Sequence, residues 1–283
     1  MKKAFPILLV LALLCGCGAP QTSPPPAQAD ETVTYEVATR TLDETYKAAD
    51  GRELLRVHFE IPELRVLANG KTVTEPKTDA QRAALAAAET FNAEFEQWTR
   101  SSSLEEDAEM VRELYEENPT AFTQWDEFLT ENFSHTVYRR GELICVSAAY
   151  YTFLGGPHPN TSFYARNFDL GRGAFFKVPE LAEDPQAFTL FVADEIERQA
   201  REWIAELFEE EDLDLEDVYW ENYREIMESW ADYAVAFDDT GMSVTFSAYD
   251  LASYAAGPQE FFLSYEELAP FWSESGRQVL GLD

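Results

Sequence analysis

Leu55, Val57, Phe59 and Ile61 alternate with Arg56, His58 and Glu60, the two-residue period of a strand with one buried face. His58 falls on the polar face, and nothing around it suggests a ligand set. Thr32–Thr39 alternates in the same way and reads as a strand, and Ala68-Asn69-Gly70-Lys71 carries turn chemistry. The period then changes. Over Thr78–Arg100, Ala87, Phe91, Phe95 and Trp98 recur at helical spacing behind Asp79 as N-cap. Ser102 or Ser103 with Glu105 or Glu106 has the form of a capping box, opening a second helix towards Glu117. Pro119 ends it, and Phe122–Leu129 reads as a short third helix.

From Phe133 the pattern returns to strand. Phe133–Arg139, a turn at Arg140-Gly141, and Glu142–Phe153 predict a hairpin. The loop Gly155-Gly156-Pro157-His158-Pro159 leads into a strand at Thr161–Phe168, a turn at Asp169–Gly173 and a short strand at Ala174–Val178. Pro185–Phe208 predicts a long amphipathic helix that uses Phe188, Val192, Ile196, Trp203 and Leu207, and Val218–Tyr233 predicts a second one. Ala234–Phe237 and Met242–Ala248 form another hairpin around Asp238–Gly241. Tyr249–Ala256 reads as a loop or short helix, Gln259–Leu263 as a strand, and Tyr265–Phe271 as a helical turn. The fold class is α+β, a mostly antiparallel sheet packed with helices. A boundary near Asn132 divides residues 32–132 from 133–283.

The first residues change the picture by placing the chain in the cell. Lys2 and Lys3 precede a short apolar core, Pro6–Leu14, well below the roughly 20 apolar residues of a permanent span. Residues 1–16 therefore read as a signal peptide. Leu14-Cys15-Gly16-Cys17 has the form of a lipobox, with Cys17 as the lipidated residue after cleavage; release by ordinary cleavage is the alternative. Residues 17–31, rich in Pro, Gln, Ser and Ala, read as an extended tether. The expected location is the extracytoplasmic face of the cell membrane, held by a lipid anchor. Cys145, in the apolar run Leu143–Ala149, has no cysteine partner and reads as a small buried hydrophobe.

Charge then excludes partners. The formal net charge is −32, and removal of Lys2 and Lys3 with the signal leaves −34. Nucleic acid needs a basic surface, so it is excluded as a ligand. Acid is concentrated in Asp194–Asp217 and Glu105–Glu117, which read as solvated helix faces or as a field that steers a cationic partner. Glu209–Asp217 lacks the glycine and ligand spacing of a calcium loop. The three histidines, His58, His135 and His158, form no metal-ligating pattern, and no nucleophile elbow is present. No enzyme activity and no cofactor are expected. Of the three, His158 has the distinctive setting: two glycines free the backbone and two prolines stiffen it. Either its imidazole bonds a neighbouring backbone in a shaped loop, or it belongs to a rigid recognition loop with Gly155, Gly156, Asn160 and Tyr164. Tyr150, Tyr151, Tyr249 and Tyr254 read as core aromatics.

Tyr151–His158 with its Gly-Gly-x-His loop, Asn167–Gly173, and Phe175–Leu181 occur in order, followed by a helix of the Phe188–Leu207 kind. Tyr249, Tyr254, Ala256-Gly257-Pro258 and Tyr265-Glu266-Glu267-Leu268 complete the set. Over residues 133–283 this order resembles the extracytoplasmic module shared by the lysozyme-sensing anti-sigma factor RsiV and the peptidoglycan deacetylase PdaC. Residues 32–132 resemble, more weakly, the module that precedes it. The loop here reads Gly-Gly-Pro-His-Pro in place of Gly-Gly-Ala-His-Gly. No zinc-binding or sigma-binding segment and no deacetylase domain is expected. The resemblance implies a non-enzymatic binding module with a lysozyme-like cationic protein as its candidate partner, and Gly155, Gly156, His158, Asn160, Tyr164 and Tyr254 as candidate binding residues. The alternative is a peptidoglycan-directed enzyme or glycan-binding accessory protein that takes a peptidoglycan fragment.

Overall fold

A hairpin of two long strands begins the sheet: β1 (Val33–Lys47) and β2 (Glu53–Ala68) pair from Tyr46↔Leu55 to Val33↔Ala68. The computed structural model describes residues 32–101, 104–120, 129–208 and 213–282, with the backbone alone at 98–101. Asn69 and Gly70, at φ 51° and 73°, turn the chain into the two-residue β3 (Lys71–Thr72), as the paired left-handed positions of a tight hairpin require. Helices α1 (Asp79–Ser101) and α2 (Leu104–Glu117) then carry the chain to β4 (Leu129–Arg140). β4 lies parallel to β2 from Leu55↔Leu129 to Phe59↔Phe133. Beyond Phe59 the two strands part, and side chains take over the free backbone groups. His135 Nδ1 donates to the Glu60 carbonyl at 2.8 Å, and the Asn92 amide of α1 bonds both the N–H and the C=O of Leu64 at 2.7 and 3.1 Å. β5 (Leu143–Phe153), β6 (Asn160–Asp169) and β7 (Ala174–Phe176) complete the order β1-β2-β4-β5-β6-β7 with antiparallel pairings.

The sheet separates two cores, and β5 shows why its sequence reads as unbroken apolar. Ile144, Val146 and Ala148 pack with Phe91, Phe95 and Val111 of α1 and α2. Leu143 and Cys145 point the other way, into the C-terminal core. That second core gathers α3 (Pro185–Leu207), capped by the Asp184 carboxylate, and a smaller sheet of β8 (Ala234–Phe237), β9 (Gly241–Phe246) and β10 (Gln259–Ser264). The sheets meet where Asn167 of β6 donates to the Val235 carbonyl at 2.9 Å and Ser247 Oγ accepts from Phe163 N–H at 2.9 Å. The architecture is α+β, a mostly antiparallel sheet packed with helices.

Several local expectations change. The cap of α1 is Thr78, whose hydroxyl accepts from Gln81 N–H at 3.2 Å, while Asp79 pairs with Arg82. β1 continues to Lys47, eight residues past the predicted end. Leu129 is a strand residue, and β7 stops at Phe176 because Val178–Leu181 winds into a 3₁₀ turn. Leu207 is 57 % exposed; Ala193, Ala200 and Ile204 extend the buried stripe of α3 instead. The predicted helix over Val218–Tyr233 is broken into α4 (Leu215–Val218), α5 (Tyr223–Glu228) and a 3₁₀ turn at Trp230–Asp232. The break has a cause: Tyr219 bridges Ala252 and Trp220 N–H donates to the Leu251 carbonyl at 2.8 Å, so an outside loop captures this backbone. α6 (Tyr265–Leu268) is followed by α7 (Glu274–Leu280), which the periodicity did not announce. The signal, the tether, Cys17, the Ser102/Ser103 cap and residues 122–128 of the expected third helix lie outside the described residues. Among the described residues no helix is long and apolar enough to cross a membrane.

Candidate functional site

Two connections, one from each sheet, converge on a single backbone carbonyl. The β5–β6 connection contains Gly155 and Gly156 at φ 96° and 102°, angles that strain any side chain with a Cβ. They turn the chain so that His158 and Pro159 lead into β6 at Asn160. The β9–β10 connection contains a 3₁₀ turn at Tyr254–Ala256 that ends on Gly257 at φ 69° and ψ −175°. Across the gap, Tyr254 Oη–H donates to the Pro159 carbonyl at 2.8 Å, and His158 Nδ1–H donates to the same oxygen at 2.9 Å. Sharing one acceptor forces the rings together: they stack with centroids 3.7 Å apart and planes 14° from parallel. A carbonyl only accepts, so the proton sits on Nδ1 and a neutral His158 keeps a lone pair on Nε2. The bland expectation for His158, a bond to neighbouring backbone, holds; its stacking on Tyr254 adds a contact that spans 96 residues.

The second loop is held at further points besides its backbone ties to Tyr219 and Trp220. Ser247 ties it to β6 as described, and its own turn closes through Ser247 N–H to Asp250 Oδ2 at 2.6 Å and Asp250 N–H to the Ser247 carbonyl at 3.0 Å. Burial raises the Asp250 carboxyl above its ordinary pKa, against the Ser247 N–H that favours the charged form. Trp220 Nε1–H donates to the Tyr249 carbonyl at 2.9 Å. Between these ties Tyr249 stands at φ 75°, a left-handed conformation costly for a bulky side chain. Its ring lies 5.5 Å from that of Tyr254 and is 52 % exposed, and Trp220 is 40 % exposed. The expectation that Tyr249 is a core residue is therefore corrected, and Tyr254 is half-buried.

Of the predicted residues, the fold brings Gly155, Gly156, His158, Asn160 and Tyr254 into this neighbourhood. Asn160 opens β6, with Nδ2 3.3 Å from Ser162 Oγ and a buried Oδ1 that has no hydrogen-bond partner among the described residues. Tyr164 lies four residues further along β6 and packs against the core under α1 and α2, near Tyr150. Trp220 and Ser247 were not legible as site residues, since each acts through a contact with a distant loop. No cluster able to hold a metal ion exists among the described residues. The acidic helix face is cross-linked: Arg198 pairs with Glu195 and Glu202, Arg201 with Glu197 and Asp214, and Arg224 with Asp194, Glu197 and Glu228. Six carboxylates around three guanidinium groups leave this surface negative.

No curated protein matches this chain. The fold is shared with a DUF3298-family protein from Bacteroides fragilis NCTC 9343: 15% identity, TM-score 0.53, covering 88% of this chain and 97% of that one. A DUF3298-family protein from Pseudomonas aeruginosa PAO1 is also similar, at 15% identity and TM-score 0.45, covering 87% of this chain and 97% of that one. Within the chain, residues 181–266 match the family described as "Protein of unknown function (DUF3298)", so the protein carries a DUF3298 domain over that range.

Proposed function

We propose that this protein is a non-enzymatic, membrane-anchored extracytoplasmic lipoprotein that binds a cell-envelope ligand. A cationic, lysozyme-like protein is its concrete candidate partner. In this reading Cys17 carries the lipid, residues 32–132 correspond to the PdaC-type module and residues 133–283 to the RsiV-type domain. The observation that carries the proposal is the His158–Tyr254 stack, which joins two loops of different sheets into one preformed surface. Preformed loops bind without a large ordering cost, and exposed Trp and Tyr are the side chains most often found as interface anchors. Tyr249 and Trp220 stand on this surface in that role. The donors Nδ1 of His158 and Oη of Tyr254 are both occupied by the Pro159 carbonyl, an arrangement that suits holding a shape rather than moving a proton. A net charge of −32 favours encounter with a cationic partner and raises the on-rate more than the affinity.

The test is titration of the full chain with a cationic lysozyme and, separately, with soluble peptidoglycan fragments, at about 50 and about 150 mM salt. Saturable lysozyme binding that the pair Tyr249→Ala and Trp220→Ala weakens at least tenfold is the expected result. Saturable binding of glycan alone replaces the protein partner with the saccharide one, which the exposed aromatics also suit. Binding of neither, or binding indifferent to both substitutions, overturns the proposal. Incorporation of labelled palmitate that Cys17→Ala abolishes tests the anchor.

A further inference from the structure

Glu131 is a carboxyl in the wrong place for a charge. It lies on β4 between Leu129 and Phe133, on the face that packs under α2, and is 0 % exposed. Its neighbours across the sheet are Val57 of β2 and Thr152 of β5. Tyr150 of β5 donates its hydroxyl to Oε2 at 2.5 Å, while Oε1 is buried with no well-formed hydrogen bond. The group facing it from α2 is another acid, Asp107. The remaining titratable groups nearby are also of the wrong kind to neutralise it: Tyr46 from β1, itself beside Glu105, and Tyr164 from β6, beside Tyr150. The β2 residues in this core, Leu55, Val57 and Phe59 among them, are all apolar, and no cation bears on Glu131 among the described residues. Burial raises the carboxyl to about 7, the Tyr150 hydroxyl opposes the rise, and the Asp107 charge adds to it.

The helix above this carboxyl is weakly held. Of its fourteen residues α2 buries Leu104, Ala108 and Val111, whereas α1 sends Ala84, Ala87, Ala88, Phe91 and Phe95 into the same core. The last turn of α2 has no basic residue and ends on Glu116 and Glu117, which the helix dipole disfavours there. A further fastening is Tyr115, whose hydroxyl donates to Asp50 Oδ2 at 2.7 Å with the Arg52 guanidinium 5.7 Å from its ring centre.

We propose that Glu131 and Asp107 form a proton-operated latch for α2, in which a neutral Glu131 keeps the helix docked on the sheet and ionisation lets it lift. The proton departs to bulk water, and a second charge is left beside Asp107 in an apolar site with no cation to receive it. Lifting α2 lets water reach Glu131 and removes the opposed charge. The docked state binds the proton more tightly than the lifted state, so docking is strongest in acid. It weakens as pH rises from the ordinary glutamate value of 4.5 towards about 7 and is level above that. The latch is independent of what the His158 face binds.

Hydrogen exchange of the full chain, read by mass spectrometry between about pH 4.5 and about pH 8.5 and corrected for intrinsic chemical exchange, tests this. Protection of residues 104–117 should fall up to about 300-fold between pH 4.5 and 7 and then level, while α1 stays protected. Glu131→Gln, neutral at every pH, should keep α2 protected throughout. Asp107→Asn removes the opposing charge, so the fall should be smaller and end at lower pH. A wild-type profile flat with pH overturns the latch, and so does an equal loss in α1, which would mark global opening. A fall that survives Glu131→Gln, or one that Asp107→Asn leaves unchanged, overturns it as well.

Discussion

Glu131→Gln should make the whole protein more stable at neutral pH, an unusual outcome for a substitution at a fully buried polar position. The magnitude follows from the carboxyl's rise from 4.5 to about 7 on folding. At about 1.36 kcal/mol per pH unit, that rise is worth ~3 kcal/mol. Because the folded state holds the proton more tightly, the contribution of Glu131 is full below pH 4.5 and falls as pH climbs, to be lost by about pH 7. Glutamine keeps the shape and a carbonyl oxygen for the Tyr150 hydroxyl, and its amide can donate towards Asp107 without any charge to lose. Other acids run the opposite way. Asp50 is lowered by the Arg52 N–H, Asp238 by the Thr240 hydroxyl and Glu267 by the Ser264 hydroxyl, so each stabilises above its unfolded pKa and loses this as pH falls. They cancel when variant and wild type are compared at the same pH. Urea unfolding of both proteins at a series of pH values from about 4.5 to about 8.5 therefore isolates Glu131. The variant's advantage should grow through pH 5 and 6 and level above 7. Where α2 lifts before global unfolding, growth stops at the cost of lifting it, so the plateau reports how firmly α2 is held. An advantage constant across the series refutes the reasoning.

Gly141→Ala should lower stability by about 2–3 kcal/mol in thermal or urea unfolding. Its φ is 55°, and a methyl there would stand 2.6 Å from Gly281 N and 2.8 Å from the Val279 carbonyl. Gly276→Ala lies in α7, where alanine ordinarily gains about 1 kcal/mol over glycine. Here the added carbon would meet the Leu181 carbonyl at 2.1 Å, so the sign reverses and Tm falls. Tyr254→Phe removes one of two donors to Pro159 and should cost about 1 kcal/mol with the stack retained. Tyr254→Ala also removes the stack, about 0.5–1.5 kcal/mol more, and should free the loop to exchange its amides faster. Arg224→Met breaks three ion pairs, yet the arginine is 36% exposed, and the change at about 150 mM salt should stay near 1 kcal/mol.

Legibility in the sequence follows how local the deciding contact is. β2, the Asn69-Gly70 turn, the β4–β5 hairpin and α3 carry their period or their turn residues within a few positions, and each forms as its pattern predicts. The second acidic helix fails because its own hydrogen bonds compete with the loop at Leu251 and Ala252, some thirty residues onward. Glu131 was hidden by a boundary error. With Phe122–Leu129 read as helix and strand begun at Phe133, the alternation Leu129, Glu131, Phe133 was cut in the middle. Extending the strand back by four residues places a glutamate on an apolar face, the one sequence signal that distinguishes it from the many acids in solution.

The site depends on a longer chain of causes. Resemblance set the His158 and Tyr254 stretches side by side as an ordered pair of motifs, but order in sequence does not imply contact. Contact arises because each stretch joins neighbouring strands, β5 to β6 and β9 to β10, and because Asn167 and Ser247 fix the smaller sheet against β6. Glycine at 155, 156 and 257 allows the turns, but the Pro159 carbonyl decides how close the rings come. The smaller sheet therefore has to be docked before the surface exists. A change at Ser247, which touches neither His158 nor the Tyr254 ring in the contacts described, should loosen the stack as surely as a change within it. Ser247→Ala removes the acceptor for Phe163 N–H. If it weakens partner binding while Tm moves by less than about 3 °C, rigidity of the loop pair, rather than the identity of the exposed rings alone, sets affinity.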